Sequence, residues 1–141
     1  MSLIKNRDRV KQVIDFTSVQ NGKMHPMDID AVLEFDNRIL ILIEVKFKGN
    51  DIPTGQKLTL ERICDAWHKK DIQKTREQER SKAIVLKVEH NFNNDNVNIP
   101  LDKCYLTSIY YNKKWSKRYD SNIITYINKL GEKWNCSKCK F

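Results

Sequence analysis

The sequence is poor in the features that mark several large classes of protein. It has only four glycines, and none of them are grouped as the phosphate-cradling loops of nucleotide-binding proteins require. No apolar run approaches the roughly 20 residues that a membrane-spanning helix needs. The N-terminus, MSLIKNRDRV, has no apolar core of a signal peptide. These absences predict that the protein has no membrane partner and lies in the cytoplasm.

Cysteines are also few, and their placement excludes a disulfide-rich scaffold. The four of them are unevenly spaced, at Cys64, Cys104, Cys136 and Cys139. A chain of 141 residues with a hydrophobic fraction of 40% is long enough for one domain with a real core and too short for two ordinary ones. We therefore expect a single domain over residues 1–141, with a Cys-containing C-terminal tail at 132–141.

Charge is unevenly balanced between the two signs. The chain has 26 basic and 18 acidic residues, which gives a formal net charge of +8 at pH 7. An excess of Lys and Arg favours a polyanionic partner, because each phosphate that they neutralise releases counterions.

The stretch from His25 to Gly49 predicts a β-hairpin with one apolar face. A three-residue loop at 36–38 would collect only apolar side chains on that face, at Ile29, Ala31, Leu33, Phe35, Ile39, Ile41, Ile43, Val45 and Phe47. A two-residue loop would instead set Asp30 among aliphatic side chains, because a slip of one residue turns a whole strand over. The pattern therefore predicts the three-residue loop.

This register gathers charged side chains at the open end of the hairpin. Asp30 falls opposite Glu44, and Asp28 falls opposite Lys46. Carboxylates set opposite one another repel unless a cation joins them, so the arrangement predicts a divalent metal site. The alternative is a solvated face with weak ion pairs to the lysine. This face also contains the apolar residues Val32, Leu40 and Leu42, which indicate that it is partly covered.

Periodicity along the rest of the chain predicts alternating helices and strands. The predicted elements are a helix over 7–16, the hairpin, a helix from Gln56, strands over 83–88 and 104–111, and a helix over 122–130. The expected order is α-β-β-α-β-β-α. This order is typical of an α/β (α+β) fold with a small mixed sheet flanked by helices.

Pro26, Asp30, Glu44 and Lys46 resemble the signature of the PD-(D/E)xK nuclease superfamily. In that superfamily an acid opens one strand, and an acid-x-Lys pair lies on the next. The segments DIDAVLEF, IEVKFKG and IPTGQKLTLERICDA are similar to those of small phage-type members. The resemblance covers residues 25–68, and it implies a restriction-endonuclease-like core.

The resemblance also implies a metal-dependent nuclease that hydrolyses DNA with Mg²⁺ or Mn²⁺. Its catalytic residues would be Asp30, Glu44, Lys46 and Gln56. Its metal ligands would be Asp30, Glu44, the carbonyl of Val45 and, as a second-shell or second-metal ligand, Asp28. Lys46 would orient or help deprotonate the attacking water, or stabilise charge on the phosphate, and Gln56 would hold that water or a phosphate oxygen.

A second metal site is an alternative interpretation of the cysteines. The pair in the C-terminal tail has the spacing of half a zinc site, and a cysteine and a histidine four residues apart on the helix from Gln56 would supply the other half. The full set is Cys64, His68, Cys136 and Cys139. The competing interpretation is a buried Cys64 with two incidental thiols in the tail.

Further basic residues are candidates for contact with nucleic acid, because surfaces that bind nucleic acid combine basic side chains with aromatic ones. They are His25, Lys113, Lys114, Lys117 and Arg118, with Trp115 between them. The aromatic residues fit a core equally well.

A nuclease with one site per chain that cuts both strands would favour a homodimer. An alternative function is an inactive nuclease fold, with or without zinc, that binds nucleic acid or protein. For a phage protein, the location would be the host cytoplasm.

Overall fold

Five strands and two helices build the fold in the computed structural model, which describes residues 14–74, 76, 79–94 and 97–141, without the side chains of 119–121. The elements are β1 (Ala31–Phe35), β2 (Ile39–Phe47), α1 (Thr54–Lys69), β3 (Lys82–His90), β4 (Tyr105–Tyr111), β5 (Lys114–Asn122) and α2 (Ile123–Lys133). The strands form one mixed sheet in chain order, with β2 and β3 parallel and the other neighbours antiparallel. The mixed α+β class is thus confirmed. In the part of the chain described, no helix is both long and apolar enough to cross a membrane.

The β1–β2 hairpin has the predicted register. Phe35 pairs with Ile39, so the loop holds three residues. Asp36 and Asn37 both have a φ of 55°, in the left-handed region that short polar side chains tolerate. The amide of Arg38 closes the turn by donating to the carbonyl of Phe35 at 3.0 Å. The turn chemistry and the apolar face therefore specify the same register.

Side chains of β2 alternate between two separate cores, one on each face of the sheet. Ile39, Ile41 and Ile43 pack in a cluster with residues of α2 and the C-terminal segment. Leu40 and Leu42 pack on the other face, where α1 covers them with Leu60 and Cys64. A central strand covered on both faces is apolar at nearly every position, and β2 and β3 have this composition over residues 39–43 and 83–86.

The structure contains a strand, β5, that the periodicity did not predict. Its sequence, KWSKRYDSN, is polar because β5 lies at an edge of the sheet, where charged residues protect unpaired backbone groups. The turn before β5 lacks glycine, although Asn112 and Lys113 have positive φ angles of 53° and 65°. The described elements therefore run β-β-α-β-β-β-α, and the predicted order was wrong in omitting β5. The predicted helix over 7–16 lies mostly outside the described residues, and 14–16 are not helical.

The helix α2 is held at both ends by side chains. Asn122 caps its start by accepting hydrogen bonds from the amides of Ile124 and Thr125. Arg38, from the hairpin loop, donates to the carbonyls of Trp134 and Asn135 at the other end, at 2.9 and 3.1 Å. Helix ends leave backbone groups unpaired, so these bonds fasten α2 to the apolar face of the hairpin.

The C-terminal segment packs so tightly on α2 that one position requires glycine. A Cβ atom on Gly131 would overlap the backbone carbonyl of Cys139. The helix continues past this glycine to Lys133, three residues beyond the predicted end at 130. Gly131 thus serves close packing and does not end the helix.

We expect Gly131→Ala to lower the free energy of unfolding by about 1–3 kcal/mol, because the tail must move to accommodate the methyl group. Gly55→Ala is the matched control, since a Cβ there meets nothing within 4 Å. It should leave stability within about 1 kcal/mol of the wild type. Urea unfolding of the three proteins measures both effects, and equal stabilities would contradict the packing argument.

Candidate functional site

The two acids of the hairpin lie beside each other where β1 begins. Ala31 pairs with Ile43, and Asp30 and Glu44 follow in the same register. A carboxylate oxygen of Asp30 (Oδ2) accepts a hydrogen bond from the amide of Val45 at 2.8 Å. This bond turns the Asp30 carboxylate towards β2. The structure therefore brings together the acid pair that the register predicted.

Glu44 is the buried member of the pair, with only 2% of its surface exposed. Its Oε1 atom accepts a hydrogen bond from Gln56 Nε2 at 2.9 Å and lies 3.5 Å from the ammonium nitrogen of Lys46. Its other oxygen, Oε2, is buried and has no hydrogen-bond partner among the described residues. A buried carboxylate oxygen without a partner is unfavourable, so a proton or a cation at this oxygen would stabilise it.

The pKa of Glu44 is raised to about 7, chiefly by burial and then by the negative charge of Asp30, while Lys46 opposes the shift. Two ionised carboxylates are both acceptors and cannot bond to one another. A proton held by Glu44 relieves this conflict in the free protein. A divalent cation between the acids would relieve it in the ionised form.

The oxygen donors fit a hard divalent ion. Mg²⁺ usually takes one or two carboxylates from the protein and keeps several waters. Asp30 and Glu44 supply two carboxylates, and Val45 lies next to Glu44 with its backbone carbonyl as the third ligand of the expected set. Across the residues described, no group of three or more His, Cys, Asp and Glu side chains has the arrangement of a metal site. The fit thus rests on two acids and the unpartnered Glu44 Oε2.

Gln56 connects the acid pair to the chain segment that precedes β1. Its Nε2 donates to the carbonyl of Asp28 and to Glu44, both at 2.9 Å. An amide NH₂ group has two hydrogens, so these two protein groups engage both of them. In the structure the amide nitrogen of Gln56 positions the Glu44 carboxylate. The prediction that Gln56 holds a water or a phosphate oxygen stays a prediction.

A cleft of about 600 Å³ opens over this pair. Residues of the segment before β1, the end of β2 and the first turn of α1 line it, including His25, Asp28, Asp30, Glu44, Lys46 and Gln56. The side chain of Asp28 is exposed, and Lys46 pairs with Glu44 within the cleft. Nδ1 of His25 lies 3.0 Å from the carbonyl oxygen of Pro26. The predicted catalytic residues Asp30, Glu44, Lys46 and Gln56 therefore line one cleft.

The basic residues proposed for nucleic-acid contact divide into two groups along β5. Lys113 lies in the turn and Lys114 begins the strand, while Lys117 and Arg118 lie further along it; all four are exposed. Trp115 is half-buried and packs against the core, where its Nε1 donates to Glu61 at 2.8 Å and its ring contacts Tyr110. Lys117 lines a cleft on the same face as α1.

The structure adds Lys87 to this face, a residue that the sequence pattern did not single out. Lys87 pairs in register with Glu44 across the parallel β2–β3 contact. Its side chain forms ion pairs with Glu89 at 3.0 Å and Asp51 at 3.7 Å. Thirty or more residues separate β2 from β3, and no local signal gives the register between them. Only the folded sheet shows that Lys87 neighbours the acid pair.

The four residues of the expected zinc set do not meet. Cys64 belongs to α1 and packs in the cluster between that helix and the sheet, whereas Cys136 and Cys139 pack in the cluster on the opposite face of the sheet. His68 receives a hydrogen bond on Nδ1 from the amide of Ala83 at 3.4 Å. The sheet between the two clusters keeps these side chains apart, so the structure contains no Cys₃His arrangement of them. All four cysteines of the chain are free and buried.

Comparison with known proteins gives no relative for this chain. No family model matches the sequence, and no curated protein and no solved structure is significantly similar to it. Functional inference therefore depends on the site itself.

The raised pKa of Glu44 predicts a specific dependence of stability on pH. A carboxyl group with a raised pKa in the folded state stabilises the protein below its ordinary pKa of 4.5, and this contribution is lost as the pH rises through about 7. In EDTA, the free energy of unfolding of the wild type relative to Glu44→Gln should fall by on the order of 2 kcal/mol over that range. Urea unfolding at several pH values tests this.

Glu132→Gln, at an exposed position of α2, is the control for the loss of one carboxyl group. It should show no comparable change relative to the wild type. A constant difference between wild type and Glu44→Gln from acid to mildly alkaline pH would contradict the assignment.

Proposed function

We propose that this protein is a metal-dependent nuclease of the PD-(D/E)xK type that hydrolyses phosphodiester bonds of DNA. The observation that carries the proposal is the buried Glu44 carboxylate, placed between Asp30, Lys46 and Gln56 with one oxygen lacking a described partner. An ordinary ion pair lies at the surface, and such a pair gives no reason to bury one carboxylate beside a second acid. The net charge of +8 is consistent with a polyanionic substrate.

The residues of the cleft have distinct roles in this proposal. Asp30, Glu44 and the carbonyl of Val45 would hold Mg²⁺ or Mn²⁺, which supplies activation of water and neutralisation of charge on the phosphate. Lys46, whose side chain is 22% exposed in the cleft, donates hydrogen bonds to a non-bridging phosphate oxygen. Gln56 fixes the orientation of Glu44. In the reaction, water adds to phosphorus, the P–O bond to the leaving oxygen breaks, and that oxygen gains a proton.

The first turn of α1 provides a second attraction for phosphate. No side chain caps this helix end, and no acid lies in its first turn. The unpaired N–H groups and the helix dipole favour an anion there. Gly55 and Gln56 of this turn line the same cleft as the acids. The substrate phosphate would thus lie between the metal ligands and the start of α1.

Two further features, the location and the oligomeric state, belong to the proposal. We place the enzyme in the cytoplasm, and in the host cytoplasm if a phage encodes it. We also propose that a homodimer forms where both strands of a duplex are cut, because the described part of each chain has one acid pair of this kind. DNA footprints and sedimentation with duplex would test the dimer separately from the chemistry.

The wild type should cleave DNA with Mg²⁺ or Mn²⁺, and Asp30→Asn, Glu44→Gln and Lys46→Ala should each lower the rate at least 100-fold. Metal ligands and charge-stabilising groups act mainly in the transition state, which explains losses of about this size. Asp28→Asn should lose less than Asp30→Asn, because only the Asp30 carboxylate accepts from β2. A gel assay with labelled DNA measures all four.

Asp36→Asn, in the hairpin loop at the other end of β1, is the matched control and should retain full activity. Equal rates in the wild type and all three cleft variants would reject the nuclease assignment. Mn²⁺ binding by calorimetry without any cleavage would favour the inactive binding module.

Gln56→Ala should raise the metal concentration needed for half-maximal activity about 10- to 100-fold while leaving the rate at saturating metal closer to that of the wild type. The physical reason is that Gln56 orients a ligand and does not itself contact the ion. A titration of activity against Mg²⁺ measures both quantities. A fall in the saturated rate alone would instead make Gln56 a direct contact of the substrate.

A further inference from the structure

A row of polar side chains crosses the sheet from the acid pair to the far edge. Each member pairs in register with the next: Glu44 on β2 with Lys87 on β3, Lys87 with Ser108 on β4, and Ser108 with Lys117 on β5. Residues paired in register across neighbouring strands extend from the same face of a sheet. The row therefore begins at the candidate metal ligand and ends at an exposed lysine.

This row lies just beyond the start of α1. The preceding row on the same face, Leu42, Val85 and Tyr110, is apolar and lies in the core under α1. Two clefts open along the polar row, and they share Lys87 and Ser108 as lining residues. Sheet residues covered by a helix are apolar, whereas those beyond its end remain reachable. The change from apolar to polar thus follows the position of the helix end.

Basic groups line these clefts from three elements. Lys57 of α1 lies over the ring of Trp115, with its ammonium nitrogen 5.0 Å from the ring centre, in the cleft that also contains Lys87. Lys117 enters from the edge strand. Two acids face them: Glu89, which also accepts from the amide of Gly49 at 2.9 Å, and Asp51, whose side chain is 97% exposed.

The acids leave the lysines able to bind an anion. Glu89 is fixed by a backbone amide and by Lys87, whose ammonium group has three hydrogens to donate. The pair of Lys87 with Asp51 is long, at 3.7 Å, and although the Lys87 side chain is only 12% exposed, that of Asp51 is 97% exposed, so water competes with Lys87 for this carboxylate. A phosphate can therefore replace Asp51 at Lys87 with little loss. Ser108 adds a neutral hydroxyl donor between the two lysines.

We propose that Lys87, Ser108 and Lys117 bind phosphates of one nucleic-acid strand, so that the strand crosses the sheet from the acid pair towards β5. This inference rests on the proposed function, because only that function makes Glu44, where the row starts, a ligand of the catalytic metal. Three strand spacings from Glu44 to Lys117 span about 14 Å, which matches about four nucleotides at the B-form rise. The contacts are to the backbone, so binding along the row is independent of base sequence.

The test measures binding without cleavage, in EDTA, by fluorescence anisotropy of labelled single-stranded and duplex oligonucleotides over a salt series. Lys117→Ala should reduce the magnitude of the slope of log K against log salt by about 0.7 for single strands or about 0.9 for duplex. Lys87→Met should give a similar change, and the double variant about twice as much. Lys129→Ala removes the same charge from an exposed position of α2 and should leave the slope unchanged.

Lys117 is exposed, so its replacement does not depend on the packing of Lys87, and Lys117→Arg should retain the wild-type slope. The inference is overturned if the wild type binds neither oligonucleotide, if Lys117→Ala keeps the wild-type slope, or if Lys129→Ala changes it equally. Binding that depends on the row without any metal-dependent cleavage would reject the proposed nuclease and support the row. Metal-dependent cleavage by the wild type, together with a salt slope that Lys117→Ala leaves unchanged, would support the proposed nuclease and reject the row.

Discussion

The burial of one carboxylate, that of Glu44, is the constraint on which this arrangement depends. A glutamate with 2% exposure on a central strand is tolerated only if hydrogen bonds and charges compensate it. Gln56 and Lys46 stabilise the charge on one of its oxygens. The pKa of Glu44, raised to about 7, indicates that these two contacts do not fully offset the cost of burying the ionised carboxylate. A site that is unfavourable for a lone anion is favourable for an anion with a bound cation.

The helix α1 determines which part of the sheet is core and which part is surface. Its body covers the apolar row of Leu42, Val85 and Tyr110, and its first turn lies at the next row, where Glu44 and Lys87 are neighbours. Pro53 immediately precedes the helix and cannot donate a backbone hydrogen bond, which suits a helix start. The same helix end contributes Gln56 to the acid pair and unpaired N–H groups to the cleft. The position of α1 therefore links the packing of the sheet, the electrostatics of the cleft and the candidate site.

Local signals were sufficient for the hairpin and insufficient for the edge of the sheet. Alternation of apolar residues on β1 and β2 specified the three-residue loop and placed Asp30 beside Glu44, because a slip would bury a charge. The strand β5 escaped prediction because an edge strand carries many polar residues and its turn, Asn112–Lys113, lacks the glycine that usually marks such a turn. The zinc set combined residues by spacing alone, and the sheet separates them.

The sequence by itself determined the acid pair, the register of its hairpin and the mixed α+β class, since these follow from periodicity over a few neighbouring residues. Tertiary structure alone decided that Gln56 holds Glu44, that Lys87 lies beside it, and that Cys64 is remote from Cys136 and Cys139. These facts depend on the pairing of β2 with β3 and on the face that each helix covers. Long-range packing energy fixes both, and no local pattern encodes them.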